Sequence, residues 1–374
     1  MVNKKSSKHL YYEKMLKILG SLTGLFSEST IPFLNYRVTE NLFCKSFSAK
    51  NLSRSDVSAD ASLGTVGVGI KTFVNGNGKT LQKVAEFNRD NLQFRNLSKE
   101  DAIKKVAELR NKRIEATKRI YGLNEMIYHC IVRDEGKIST FECPMDLIDI
   151  DKITHLKSSN NTISFKDSKN EYSFNLTKST LYKRFHTKNT LLKVPVKILD
   201  DPFEVIEEKF LDIKKTYYTE AKLKVHVVLP LYSITSKGKI VYPKSGLNQW
   251  NAGGRKRNPD EIYVPIPTWI HKRFPGFFLG RDKPFNLILP DGQILSAKVC
   301  QDGSKALMSK HNADLGKWLL RNVLGLKEKE LLTYEKLQEI GFDSVVLERL
   351  DSKTYSIDFR PSGTYEEFIE ENGK

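Results

Sequence analysis

Four cysteines are spread over 374 residues, at positions 44, 130, 143 and 300, and no two form a CxxC pair. That spacing argues against a zinc ribbon and a disulfide framework and leads us to expect a reducing, cytoplasmic setting. No stretch approaches the roughly 20 apolar residues that cross a bilayer, so no membrane partner is expected. The opening MVNKKSSKHLYYEKMLKILG is basic but lacks a sustained apolar core or a cleavage-site pattern, so it does not read as a signal peptide. No repeat recurs at solenoid periods. VGVGIK lacks the GxGxxG form and no Walker motif occurs, which leaves nucleotide hydrolysis unsupported. The seven histidines show no metal-ligand spacing, and His129, inside MIYHCIV, reads as a core residue.

What the chain has is positive charge. Lys and Arg number 61 against 45 Asp and Glu, a net +16, which points to a polyanionic partner. The hydrophobic share of 39% is enough to bury two cores, and the length suits two domains. Leu10, Met15, Ile18 and Leu19 are spaced for a short amphipathic helix, and a second helix after Pro32 carries Glu40 and Phe43. Val57, Ala59 and Ala61 alternate with polar residues as in a strand, Leu63-Gly64-Thr65 turns the chain, and VGVGIKTFV returns. After Asn75-Gly76-Asn77-Gly78, KTLQKVAEFNRD is read as a helix. Ser98 caps a long basic helix ending at Gly122, and short strands follow. Residues 200–222 read as helical, and the domain boundary is set there, at 215/216. Beyond it alternating strands and tight turns, among them Pro290-Asp291-Gly292, predict a closed or half-closed barrel. The fold class expected is α+β: an N-terminal mixed sheet flanked by helices (1–215), then a mostly β pseudobarrel with short helices (216–374).

Cleaving a phosphodiester at neutral pH needs a divalent metal held by carboxylates and a positive group near the phosphate. In the predicted hairpin Asp60 and Lys71 lie 11 residues apart across a turn, so their side chains can converge, and Asp56 shares the face of Asp60. This arrangement resembles the PD-(D/E)XK nuclease core, where an acid on one strand faces a (D/E)-x-K tripeptide on the next. The acid of that tripeptide is absent, since Gly69 stands two before Lys71. Some restriction enzymes of that superfamily carry the second carboxylate on the following helix. The resemblance therefore implies Glu86, 15 positions after Lys71, as the second metal ligand, with Glu40 as an outer carboxylate. The HxK signature of phospholipase-D-type nucleases begins at His186-Thr187-Lys188 but fails where Lys193 replaces the aspartate.

The second half carries SGLNQWNAGGRKRNPDEIYVPIP, which gathers Asn248, Gln249, Trp250, Asn251, Arg255 and Arg257 around Gly253-Gly254. Arg suits guanine and Asn or Gln suits adenine in the major groove. A second patch, CQDGSKALMS, offers Gln301, Asp302, Lys305 and Ser309. With LPDG, LGKWLLR and LTYEKL, these blocks resemble, from about Val225 to Phe359, the effector domain related to the plant B3 DNA-binding pseudobarrel, found at the end of several restriction endonucleases. The resemblance implies base contacts from the arm after SGLN and the arm around QDG, hence from Asn248, Trp250, Asn251, Arg255, Arg257, Gln301, Asp302 and Lys305. It implies a Type II restriction endonuclease that hydrolyses double-stranded DNA with Mg²⁺, with Asp60 and Glu86 on the metal, Lys71 on the water, and Asp56 and Glu40 in reserve. A homodimer is expected because two strands are cut. The alternative is a non-catalytic, sequence-specific DNA-binding regulator, which Gly69 favours. An RNA-processing nuclease fits less well, because the C-terminal blocks resemble readers of duplex DNA.

Overall fold

The structure, a computed structural model, describes residues 6–53, 57–159, 161–187, 190–211 and 225–373. These form two compact units, one of residues 1–114 and 123–221, the other of 115–122 and 222–374. The boundary expected at 215/216 lies outside the described residues, as does Asp56.

In the first unit α1 (Ser7–Ser21) and α2 (Tyr36–Phe47) precede β1 (Lys50–Asn51), β2 (Ala61–Leu63) and β3 (Val66–Val74). α1 buries Tyr12, Leu16 and Gly20, whereas Leu10 and Ile18, expected on its apolar face, are exposed. The Asn35 side chain caps α2 by accepting the Arg37 N–H at 2.9 Å. β2 and β3 pair as the expected hairpin, Ala61 opposite Val68 and Leu63 opposite Val66. The outgoing strand is shorter than its alternation implied, and Asp60 sits in the bend that precedes it.

The helix read into KTLQKVAEFNRD is instead a strand, β4 (Lys79–Glu86), paired antiparallel with β10 (Thr180–His186). Leu81, Val84 and Ala85 imitate helical spacing, but Thr80, Gln82 and Val84 are half-buried in alternation with exposed neighbours, and the pairing decides. α3 (Lys99–Tyr121) follows, its Ser98 hydroxyl accepting the Asp101 N–H at 3.1 Å, and Gly122 ends it at φ +63°. β5 (Glu125–Asp134) then runs parallel to β3, and β6 (Lys137–Pro144) turns back beside it. After β7 (Thr154–Ser158), β8 (Thr162–Lys166), β9 (Glu171–Asn175), β10 and β11 (Leu192–Pro195), α4 (Pro202–Leu211) closes the described part. Two sheets result, β1-β2-β3-β5-β6-β11 and β4-β10-β9-β8-β7. Leu42, Phe43 and Phe47 of α2 pack on Val68, Ile70 and Ile131 of the first sheet. Ile103, Val106 and Leu109 of α3 pack on Phe165, Phe174 and Leu181 of the second. Each such side chain contributes roughly 1.5–3 kcal/mol by leaving water.

The second unit holds β12 (His226–Pro230), the hairpin β13 (Ser233–Thr235) and β14 (Gly238–Ile240), β15 (Val264–Pro265), α5 (Thr268–Arg273), β16 (Phe285–Ile288), β17 (Ile294–Cys300) and β18 (Ala306–Ser309). α6 (Asp314–Gly316) runs on as one wide turn through Lys317–Val323, and α7 (Tyr334–Ile340), β19 (Phe342–Arg349), β20 (Thr354–Pro361) and α8 (Thr364–Asn372) complete it. The seven-stranded sheet, in order β12-β19-β20-β16-β17-β18-β15, is antiparallel except for β16 beside β20. Its edges β12 and β15 approach each other, so the sheet is nearly closed into a barrel. The mixed architecture is the α+β class expected. Among the described residues no helix is long and apolar enough to cross a membrane.

Candidate catalytic centre and DNA-reading arms

In the first unit three of the expected residues, Glu40, Asp60 and Lys71, lie within electrostatic reach of one another. Glu40 is buried on α2, where Arg37 Nη1 donates to its Oε2 at 2.9 Å and also to the Ser53 carbonyl at 3.1 Å. Burial pushes the Glu40 carboxyl up, the charge of Asp60 adds to this, and Arg37, a hydrogen bond from Ser53 and Lys71 oppose it. Asp60 is half-buried and accepts the Ile70 backbone N–H on Oδ2 at 2.6 Å, which fixes it over the middle of β3. Burial raises its carboxyl as well, against the pull of Lys71, the Ile70 amide and Arg37. Two acids and two cations therefore share one electrostatic neighbourhood at the α2–hairpin junction. Arg37 was not anticipated from sequence; its position three before Glu40 on a helix was the available signal.

Glu86 does not join them. It ends β4 in the other sheet, pairs with Lys83 and Asn88, and keeps 41% of its side chain exposed. The placement on a helix reaching over Lys71 is thus corrected, because the segment extends to pair with β10. Gly69 also explains itself: a Cβ there would stand 2.7 Å from Met145 Cε and 3.0 Å from the Tyr128 ring. A larger residue at that position of β3 would have to displace the end of Met145 and press on the Tyr128 ring. Among the described residues no group of three or more His, Cys, Asp or Glu is arranged to hold a metal ion. The donor set at the junction is two carboxylates, a number Mg²⁺ accepts when water and phosphate oxygens complete its octahedron.

The first arm of the second unit, residues 245–263, is built from the inside. Asn248 is fully buried: its amide donates to the Tyr242 and Leu332 carbonyls at 3.1 and 2.9 Å and accepts the Leu332 N–H at 2.9 Å. Arg257, its side chain 15% exposed, donates to the Ala252 and Gly253 carbonyls at 2.7 and 2.9 Å. Both were expected to read bases, and both instead spend their polar groups holding the arm. Buried Glu261 is clamped between Arg255 and Arg257. Arg321 fastens the arm's return, donating to Asp260 Oδ1 at 2.7 Å and the Pro259 carbonyl at 3.1 Å. Gly316 is needed there, since a Cβ would overlap the Asp260 carbonyl. Facing outward are Arg255, its side chain 58% exposed, and Asn251, whose amide donates to the Pro243 carbonyl at 2.9 Å. Trp250 is half-buried, with an indole N–H that finds no partner.

The second arm, 301–305, links β17 to β18. Gln301 takes φ +65°, Gly303 +70° and Ser304 +54°, a run of left-handed conformations that non-glycine residues resist. Asp302 is exposed and accepts from Arg281 Nη1 at 2.9 Å, and Lys305 is exposed. Arg281 was missed in the sequence, although RDK between Gly280 and Pro284 is the kind of basic loop that flags it. Tyr263 ties the arms to one base: its N–H donates to the Gly246 carbonyl at 2.9 Å, and its ring packs on Cys300, Ala306 and Met308.

Residues 218–351 match a family model described as the NgoFVII C-terminal B3-like DNA-binding domain. No curated protein matches the chain. The match supports a restriction-enzyme type of B3-like domain over the segment that carries both arms, and with it double-stranded DNA as the partner read by sequence.

Proposed function

We propose that the protein is a Mg²⁺-dependent, site-specific endonuclease of restriction-modification type, cutting double-stranded DNA with its first unit and reading sequence with its second. The observation that carries the catalytic half is that Asp60, held over β3 by the Ile70 N–H, lies within electrostatic reach of both Glu40 and Lys71. The surrounding order α2–β1–β2–β3–β4–α3–β5, with β5 parallel to β3 and β4 set aside in the second sheet, supports a PD-(D/E)XK-like core.

In this reading Asp60 and Glu40 hold the ion, Glu40 taking the place expected for Glu86. Bound Mg²⁺ would supply an activated water and offset charge on the leaving oxygen. Lys71 orients the attacking water and faces the scissile phosphate. Arg37 favours the ionised form of Glu40 against burial and aims it, and the Ile70 amide keeps Asp60 in one rotamer. Arg255, Asn251, Trp250, Gln301, Asp302 and Lys305 contact DNA, with Arg281 added by its pairing to Asp302. Two strands need two such centres, so the protein cuts as a homodimer. The test is digestion of phage DNA by purified protein with Mg²⁺ or EDTA. Discrete Mg²⁺-dependent fragments support the reading, and gel retardation without fragments supports a non-catalytic regulator instead.

A further inference from the structure

The first unit holds a cavity of about 160 Å³ between α1, α2 and the six-stranded sheet. A space of roughly this size accommodates a single six-membered ring. Its floor is aliphatic, from β2, β3, β5 and β11, and its wall is aromatic. Phe43 lies 5.0 Å from the His129 ring and 4.8 Å from Phe47, and Tyr12 lies 5.1 Å from Phe47, centroid to centroid. One line of polar atoms crosses this wall. Tyr12 Oη and His129 Nε2 are 3.0 Å apart, and His129 Nδ1 and Glu142 Oε1 are 3.1 Å apart.

Charge gives the cavity its selectivity. The chain carries +16 overall, yet among the described residues no lysine or arginine lines this space, while Glu13 and Glu142 do. The hydrogen bond with His129 holds Glu142 below the usual carboxylate range, against the effect of burial, so it is ionised at neutral pH. Burial pushes the Tyr12 hydroxyl far up, which makes it a neutral hydrogen-bonding group and no nucleophile. His9, also lining the cavity, has a buried Nε2 with no partner. An aromatic wall beside a carboxylate attracts an organic cation through ring faces and charge together. Glu13 and Glu142 repel a phosphate or a DNA backbone there.

We infer that this cavity, lined by residues other than those of the candidate centre, is a binding site for a small organic ammonium of about one ring in size. It stands whether or not the protein cuts DNA.

Three isosteric probes test it on the full chain by titration calorimetry: benzylamine, benzyl alcohol and benzoate. The amine binds about tenfold tighter than the alcohol, the margin a desolvated cation–ring contact gives, and benzoate does not bind. Glu142→Gln, which keeps a hydrogen-bonding partner for His129 and leaves the rings and Glu13 in place, lowers the amine's preference to about threefold. Benzoate binding as well as benzylamine overturns the inference, and so does failure of all three on the wild-type protein. A Glu142→Gln protein that retains the full preference for the amine overturns it too. If that variant does not fold, the order of the three probes on wild type still decides.

Discussion

The α2–hairpin junction and the two arms of the barrel solve opposite problems. At the junction few groups are present, and its acids are buried or half-buried and held by fixed partners, Asp60 by the Ile70 amide and Glu40 by Arg37. On the arms the groups facing outward are long, exposed side chains such as Arg255 and Lys305, while the buried polar residues beneath them serve as scaffold. A hydrolytic centre gains from fixed charge in a low-dielectric place, even where that opposes folding. A reading surface needs reach, and its strength depends on displaced counterions. On the proposed reading burial means different things in the two regions: the acids of the first are desolvated at the candidate centre, while Asn248 of the second lies buried beneath its arm and Arg257 holds the Ala252 and Gly253 carbonyls.

The largest effect expected is at the junction. Asp60→Asn removes a ligand from an ion whose stabilisation amounts to several kcal/mol, so cleavage falls on the order of a thousandfold. DNA binding by the same variant stays within about twofold in a gel-shift titration, since on the proposed reading the base contacts lie in the other unit. A variant that still cuts at the wild-type rate ends the catalytic reading of the hairpin.

Next in size is the arm's scaffold. Asn248→Ala leaves the Leu332 N–H and two carbonyls without partners inside the barrel, and costs about 3 kcal/mol of unfolding free energy. Chemical denaturation of the variant checks this. Asn248 affecting affinity with stability unchanged would return it to the reading surface. By contrast, Lys305→Ala leaves stability alone, weakens binding to all duplexes alike, and lowers the slope of log K against log salt by about one.

The junction also predicts a pH effect. Burial raises the carboxyls of Asp60 and Glu40, so the folded chain binds these protons more tightly than the unfolded chain. Their ionisation therefore destabilises the fold as pH rises from about 4 through the folded values, and the full cost is present above them. Asp60→Asn consequently melts higher than wild type at pH 8 without Mg²⁺, and the gap closes as pH falls towards about 4. A gap that widens in acid would reverse the sign assigned to burial here.

How much of this was legible in sequence follows the same division. The hairpin, its turn and β3 could be read because Val, Ile and Phe alternate there with glycines and end at clear breakers. The barrel strands and the Pro290-Asp291-Gly292 turn were legible for similar reasons. The convergence of Asp60 and Lys71 followed from hairpin geometry. The partnership with Glu40 did not, because it depends on how α2 packs on the sheet. Asn248 and Arg257 have the right chemistry for bases, and only their burial shows it is used elsewhere. β4 was misread because one apolar trio fits two periods, and its true partner, β10, lies almost a hundred residues away.

The smallest effect is the sharpest discriminator, and it concerns Glu86. Were it the second ligand, Glu86→Ala would be as inactive as Asp60→Asn. Yet Glu86 stands opposite Thr180 at the end of β4, in a sheet that contains neither Asp60 nor Lys71, and its carboxylate is engaged by Lys83 and Asn88. The charges that act on Asp60 are those of Lys71 and Arg37, and those that act on Glu40 are Asp60, Arg37 and Lys71. Removing an exposed ion pair of this kind changes stability by well under 1 kcal/mol. Glu86→Ala is therefore expected to cut DNA within about twofold of wild type, in line with a surface substitution. Glu40→Gln, tested beside it, loses activity together with Mg²⁺ dependence, because the ion is left with one carboxylate. The opposite outcome, an inactive Glu86→Ala and an active Glu40→Gln, would mean that β4 leaves its sheet when DNA binds, and that the working centre forms only in the complex.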